Sequence, residues 1–163
     1  MTELGTLIDR RAVRFERFLP GPIERVWDFL SDGKRLPTWF YAGSIEPRVG
    51  GVVHFENGVD GHVTAYEPPN LLEYTWNEVD APCGEIANAL VRWELSTVGE
   101  RVRLVLIHSR VPEPVVTMLG AGWHTFLDRL DARLAARDPG AIATAYAALE
   151  PTYEAHFVQT EQR

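Results

Sequence analysis

Residues 114–137, PVVTMLGAGWHTFLDRLDARLAAR, carry apolar side chains at helical spacing. The repeating positions are Val116, Leu119, Trp123, Phe126, Leu127, Leu130 and Leu134. Apolar residues three and four positions apart share one face of an α-helix, so this stretch predicts a long amphipathic helix. The residues before it, 44–110, have the patterns of strands almost throughout. We therefore expect the helix to pack its apolar stripe onto a sheet, where a hollow between the two would be the place for a site.

Seven segments upstream of this helix predict β-strands, because apolar and polar residues alternate along them or turn signals bound them. They are residues 12–19, 44–47, 52–56, 61–66, 71–78, 89–97 and 100–110. Asn57-Gly58 predicts a tight hairpin between the third and fourth of these strands. Between the first two, residues 23–31 have the spacing of a short helix and residues 34–40 that of a second helix or turn.

The chain after Pro139 carries a weaker helical stripe. Its members are Ile142, Tyr146, Leu149, Tyr153 and Phe157. Pro151 interrupts the stripe, so the pattern predicts two short helices joined at that proline. We expect this extension, residues 138–163, either to cover the domain's own sheet or to form a homodimer contact.

Composition limits the class of protein. A chain of 163 residues with 45% apolar and 24% charged residues is typical of one globular domain. The formal charge of −7 and the lack of a basic cluster argue against nucleic-acid binding. The sequence shows neither a signal peptide nor a membrane span, and Cys83 is its one cysteine, so we expect a cytoplasmic protein.

Five segments resemble one branch of a known superfamily, in the family's order and at familiar intervals. Within residues 12–137 they are PGPIERVWDFLSDGKRLPTWF, EPRVGG, YEPPNLLEYTW, VRLVLIHSRV and GWHTFLDRLDARL. The branch is named after the activator of Hsp90 ATPase and belongs to the START and Bet v 1 superfamily. The resemblance implies an α+β helix-grip fold, in which a curved antiparallel sheet of about six to seven strands wraps around a long C-terminal helix. Many bacterial members are stand-alone domains of this length.

The polar candidates for chemistry are few. No metal-binding spacing, phosphate loop or nucleophile elbow occurs, so we expect neither a metal nor a cofactor. Strand alternation places His108 on the inner face, where it either finds a structural partner or anchors a ligand. Hairpin parity places His62 on the face of Phe55, unless a bulge reverses it. His124 lies four residues before Asp128, and we expect the two to pair on an exposed helix face.

Aromatic residues predict the cavity lining, although the same rings would also fill a packed core. The predicted ligand-binding residues are Trp39, Phe55, Tyr74, Trp76, Trp93, His108, Trp123 and Phe126. The small residues Gly120, Ala121 and Gly122 of the long helix either allow close packing or leave space for a ligand. The sequence leaves both alternatives open.

The resemblance implies three functions, in order of preference. Members of the superfamily commonly sequester hydrophobic compounds, so we expect binding of a small hydrophobic or aromatic molecule, with no catalytic residue assigned. The second is an enzyme of the aromatase/cyclase or hydrolase-like type, for which His108, His62 and Tyr74 are the visible polar candidates. The third is a chaperone-associated protein. Co-chaperone members add an N-terminal domain, whereas about eleven residues precede the first predicted strand here.

Overall fold

In the computed structural model, which describes residues 1–82 and 84–161, eight strands form one antiparallel sheet. In chain order they are β1 (Thr6–Asp9), β2 (Ala12–Pro20), β3 (Gly43–Ile45), β4 (Val52–Phe55), β5 (Val59–Glu67), β6 (Leu71–Glu78), β7 (Ile86–Val98) and β8 (Arg101–Ser109). They lie side by side in the order β1-β2-β8-β7-β6-β5-β4-β3. The last strand therefore pairs with β2, and the strands from β3 to β8 form a meander.

Three α-helices accompany the sheet in the described chain. They are α1 (Ile23–Ser31), α2 (Val116–Leu134) and α3 (Ile142–Glu161), and short 3₁₀ turns occupy Leu36–Thr38 and Glu113–Val115. The predicted α+β helix-grip class is confirmed, with α2 as its long helix. None of the described helices has both the length and the apolar character needed to cross a bilayer.

The core lies between the inner face of the sheet and α2. Along β8, Leu104, Leu106 and His108 are fully buried, as the pattern predicts, while Arg103, Ile107 and Ser109 are half-buried and Val105 is buried as well. Leu127 and Leu130 of α2 are equally buried on the opposite side. Each such leucine contributes about 1.5–3 kcal/mol through removal of its side chain from water, so the helix is held mainly by this stripe.

The sheet has one strand more than the seven that the pattern predicts. β1 pairs with β2 through a turn at Arg10 and Arg11, with Leu7 opposite Val13. Three of its four residues are exposed and Leu7 is only half-buried, so the strand has no fully buried face. A period of two in hydrophobicity arises only where one face is buried, and for this reason the pattern did not reveal β1.

The prediction that His62 shares a face with Phe55 is wrong. Phe55 pairs with Val59, so the hairpin loop holds three residues, 56–58, instead of two. Gly58 has φ of +95°, a left-handed conformation that suits this longer loop. One extra loop residue inverts the parity of the returning strand, and His62 is exposed on the outer face.

The prediction of two short helices joined at Pro151 is also wrong, because α3 runs through that position. Pro151 is exposed, so water can satisfy the carbonyl that loses its N–H partner. Tyr153 and Phe157, both buried, pack onto α2 beyond the proline. This packing on α2 holds the second half of α3 in line with the first half.

Candidate functional site

An open cleft of about 590 Å³ lies between the middle of α2, the first half of α3 and the loops at one end of the sheet. Its lining residues are Phe40, Tyr41, Asn57, Trp76, Glu78, Asp80, Pro82, Met118, Leu119, Gly122, Trp123, Thr125, Phe126, Ile142, Tyr146 and Glu150. Most of this lining is aromatic or aliphatic, and its volume is in the range of small-molecule sites.

Phe40 is at the centre of an aromatic cluster that forms the inner wall of the cleft. Its ring stacks on Trp123 with centroids 5.4 Å apart and an interplanar angle of 11°. It also meets Phe126 edge to face at 4.7 Å and lies 6.3 Å from Trp76. Such pairs add about 0.5–1.5 kcal/mol each beyond the area they bury. The wall is therefore a closely packed aromatic cluster.

His108 lies behind this wall and is fully buried. Its Nδ1 accepts a hydrogen bond of 3.0 Å from Nε1 of Trp123. Burial lowers the pKa of His108 to about 3, so the ring is neutral at pH 7. Because Nδ1 is an acceptor, the proton of the neutral ring is on Nε2, and Nε2 has no hydrogen-bond partner among the described residues. His108 therefore orients Trp123 and retains a buried donor beside Trp76, whose ring is 5.2 Å away.

Three of the eight predicted ligand-binding residues, Trp76, Trp123 and Phe126, line the cleft. The other five, Trp39, Phe55, Tyr74, Trp93 and His108, are buried in the core and do not line it.

The two tryptophans among these five residues donate hydrogen bonds to groups within the core. Nε1 of Trp39 donates to the carbonyl of Phe29 at 2.8 Å, and Nε1 of Trp93 donates to Oη of Tyr74 at 3.1 Å. Burial raises the pKa of Tyr74. Thus His108 and Tyr74 are held in the core and His62 is on the outer face, so none of the three polar candidates for catalysis lines the cleft.

The remaining lining residues were not singled out as ligand-binding from the sequence. Ile142, Tyr146 and Glu150 follow each other at intervals of four, so they share one face of α3. This spacing was visible in the sequence. The spacing shows that the three residues share a face, but it does not show what that face contacts. Only the position of α3 in the folded protein shows that this face lines the cleft.

The two glycines of the small-residue patch have different environments. A Cβ added at Gly120 would lie 2.6 Å from Cδ1 of Tyr153 and 2.9 Å from Cε2 of Phe157. A Cβ added at Gly122 would meet nothing within 4 Å, and Gly122 lines the cleft. The sequence left close packing and open space as alternatives, and each occurs at one of these positions.

A buried polar cluster anchors α3 to α2. Oη of Tyr153 accepts the backbone N–H of Gly5 at 2.8 Å and lies 2.8 Å from Nδ1 of His124. Nε2 of His124 lies 2.7 Å from Oγ1 of Thr2 and 3.4 Å from Oδ2 of Asp128. The predicted pairing of His124 with Asp128 is therefore present, but the prediction of an exposed face is wrong. Tyr153 and the N-terminal segment cover His124 completely.

Residues 20–135 match the family model described as "Activator of Hsp90 ATPase homolog 1-like protein". The chain belongs to this family. The match includes α1, most of the sheet and all of α2, and it ends before α3. The wall that Ile142, Tyr146 and Glu150 contribute to the cleft thus lies outside the part matched to the family.

Solved structures share the fold. The protein encoded by gene BPP1335 from Bordetella parapertussis is 32% identical, with a TM-score of 0.74 over 92% of this chain and 88% of that one. CalU16 from Micromonospora echinospora is 22% identical, with a TM-score of 0.75 over 88% and 86%. PFC0360w from Plasmodium falciparum, described as an HSP90 activator, is 20% identical, with a TM-score of 0.66 over 77% and 96%. No curated protein matched the sequence.

Proposed function

We propose that this member of the family binds a small hydrophobic molecule, with an aromatic or similarly flat part, in the cleft between α2, α3 and the end of the sheet. The observation that carries the proposal is the aromatic inner wall of Phe40, Trp76, Trp123 and Phe126, which faces an open volume of about 590 Å³. All four side chains are largely buried, and the small part of each ring that still faces the cleft is apolar surface that an apolar ligand would remove from water.

Gly122 offers a direct test, because a side chain at this position enters the cleft and not the core. Gly122→Leu places an isobutyl group in the open volume and also removes the poor helix propensity of glycine. We expect the variant to fold with equal or greater stability and to bind apolar ligands about tenfold or more weakly. Gly122→Ala, with a single methyl group, is the matched control and should bind nearly as well as the wild type.

The assay is a fluorescence titration with the neutral dye 1,6-diphenylhexatriene, which emits strongly in apolar surroundings. Native mass spectrometry of freshly purified protein identifies any compound that is carried along, and a thermal shift reports stabilisation by mass action. Equal dye affinity in the wild type and the folded Gly122→Leu variant would place the dye elsewhere and refute the proposal. Absence of dye binding to the wild type would refute it as well.

The family description favours a second candidate, a role in activating an Hsp90-type chaperone. This candidate predicts that the purified chain binds Hsp90 and stimulates its ATPase. Gly122→Leu should leave that stimulation unchanged if the chaperone contacts the outside of the domain. Stimulation together with loss of dye binding in the variant would assign the two activities to separate surfaces.

A further inference from the structure

The charged groups that line the cleft all have the same sign. Glu78 at the end of β6, Asp80 in the loop that follows and Glu150 on α3 contribute carboxylates. No lysine, arginine or histidine is among the described lining residues. The cleft therefore combines an aromatic inner wall with carboxylates and without a basic side chain.

Three carboxylates on the sheet do have basic partners. Glu16 pairs with Arg103 at 2.9 Å and with Arg14 at 2.7 Å. Arg92 pairs with Glu94 at 2.6 Å and with Glu73 at 3.3 Å. These arginines balance the carboxylates at neighbouring positions on β2, β6, β7 and β8.

The carboxylates of the cleft have no such cation. Across residues 1–82 and 84–159, neither Glu78, Asp80 nor Glu150 forms an ion pair with an arginine or lysine. The chain has fifteen arginines and one lysine in its sequence. The three carboxylates of the cleft thus lack a basic partner, whereas Glu16, Glu73 and Glu94 on the sheet each have one.

Glu78 is the most confined of the three carboxylates. Its side chain is half-buried and accepts a hydrogen bond of 3.1 Å from Nε1 of Trp76. Burial raises the pKa of Glu78, and burial together with the charge of Glu78 raises the pKa of Tyr41. Both directions indicate a negative charge that is partly removed from water and lacks a compensating cation.

Asn57 also contributes to the lining. Oδ1 of Asn57 is buried and has no hydrogen-bond partner in the described chain. Because this oxygen has no accessible surface, a ligand in the cleft does not contact it in this structure. The carboxylates of Glu78, Asp80 and Glu150 are therefore the groups of the lining that favour a ligand with positive charge.

We infer that the ligand of this cleft is a cation, an amine or quaternary ammonium group attached to an apolar body. This inference rests on the proposed function and specifies its ligand class. The rings of Phe40, Trp76 and Trp123 supply apolar lining for the hydrocarbon body of such a molecule. The carboxylates of Glu78 and Glu150 supply the counter-charge.

The test compares three dyes with the same diphenylhexatriene body and different charge: the neutral parent, its trimethylammonium derivative and its propionate derivative. At low ionic strength we expect the cation to bind about tenfold more tightly than the neutral dye and the anion to bind most weakly. Added salt should reduce the preference for the cation, because screening weakens attraction at exposed carboxylates.

Two double variants separate local from overall charge. Glu78→Gln with Glu150→Gln removes two charges from the cleft, and the glutamine at position 78 still accepts from Trp76. Glu67→Gln with Glu100→Gln removes two exposed charges outside the lining. The first variant should lose most of the preference for the cation and keep its affinity for the neutral dye, whereas the second should retain the preference.

The outcomes distinguish this inference from the proposed function. Equal binding of the neutral and cationic dyes, or tighter binding of the anion, would overturn the inference and leave apolar binding in place. The same preference in both double variants would also overturn it, because overall charge would then be the cause. Failure of all three dyes to bind would overturn both proposals.

Discussion

Alanine substitution at Gly120 and at Gly122 should change stability in opposite directions. Both glycines lie in the interior of α2, so each replacement gains the same intrinsic helix propensity, about 0.8–1 kcal/mol. At Gly122 the new methyl group meets open space, and the full gain should appear. For a chain of this length, about 1 kcal/mol corresponds to a rise in Tm of about 2–4 °C.

At Gly120 the new methyl group would overlap the rings of Tyr153 and Phe157. The ring of Tyr153 cannot easily retreat, because its hydroxyl is held by Gly5 and His124. Overpacking of this kind costs about 1–3 kcal/mol. The two alanine variants should therefore differ by about 1–3 kcal/mol in the free energy of unfolding, with Gly120→Ala the less stable.

Urea unfolding followed by tryptophan fluorescence and by far-UV circular dichroism measures this difference. The two signals should give the same midpoint, which supports a two-state interpretation. Equal stabilisation by both alanines would mean that α3 does not pack on Gly120, and the cleft would lose one wall. Destabilisation by Gly122→Ala would mean that the space beside Gly122 is filled.

Two further predictions concern the buried polar groups. Tyr153→Phe removes the hydroxyl that pairs with His124 and should lower the free energy of unfolding by about 1–3 kcal/mol; an unchanged urea midpoint would contradict the role of this cluster as an anchor. His108→Gln keeps an acceptor for Trp123 but does not titrate. Because burial lowers the pKa of His108 from 6.5 to about 3, protons bind preferentially to the unfolded wild type between these values. The free energy of unfolding of the wild type should therefore fall as the pH decreases below 6.5, and it should fall by up to about 1.4 kcal/mol per pH unit more than that of His108→Gln. Urea unfolding at several pH values measures both profiles, and parallel profiles would refute the prediction.

Most of the fold followed from periodicity in the sequence. The stripe of α2 and the alternation along β8 each repeat with the period of one element, and burial of one face maintains that repeat. β1 lacks a fully buried face and could not be detected in this way. Which side chains of β5 face inward depends on whether the preceding loop has two residues or three, and Asn57-Gly58 does not specify that length.

The candidate site was less predictable, because alternation tells which face a residue occupies and not what covers that face. Trp76 and Trp93 both point to the inner side of the sheet, yet only Trp76 of the two lines the cleft. The difference arises from neighbours distant in sequence. Near Trp93 the rings of Trp39 and Trp123 fill the interior, whereas beside Trp76 the cleft remains open.

The repeat of apolar residues along the sequence was enough to predict an antiparallel sheet with a long helix over it, because strand and helix periods are properties of consecutive residues. The tertiary structure alone placed Gly120 under Tyr153 and Gly122 beside open space. It also brought Glu78 and Glu150 to the same cleft. Close packing, empty volume and uncompensated charge depend on distances between residues far apart in the chain, and only the folded arrangement of α2, α3 and the sheet determines those distances.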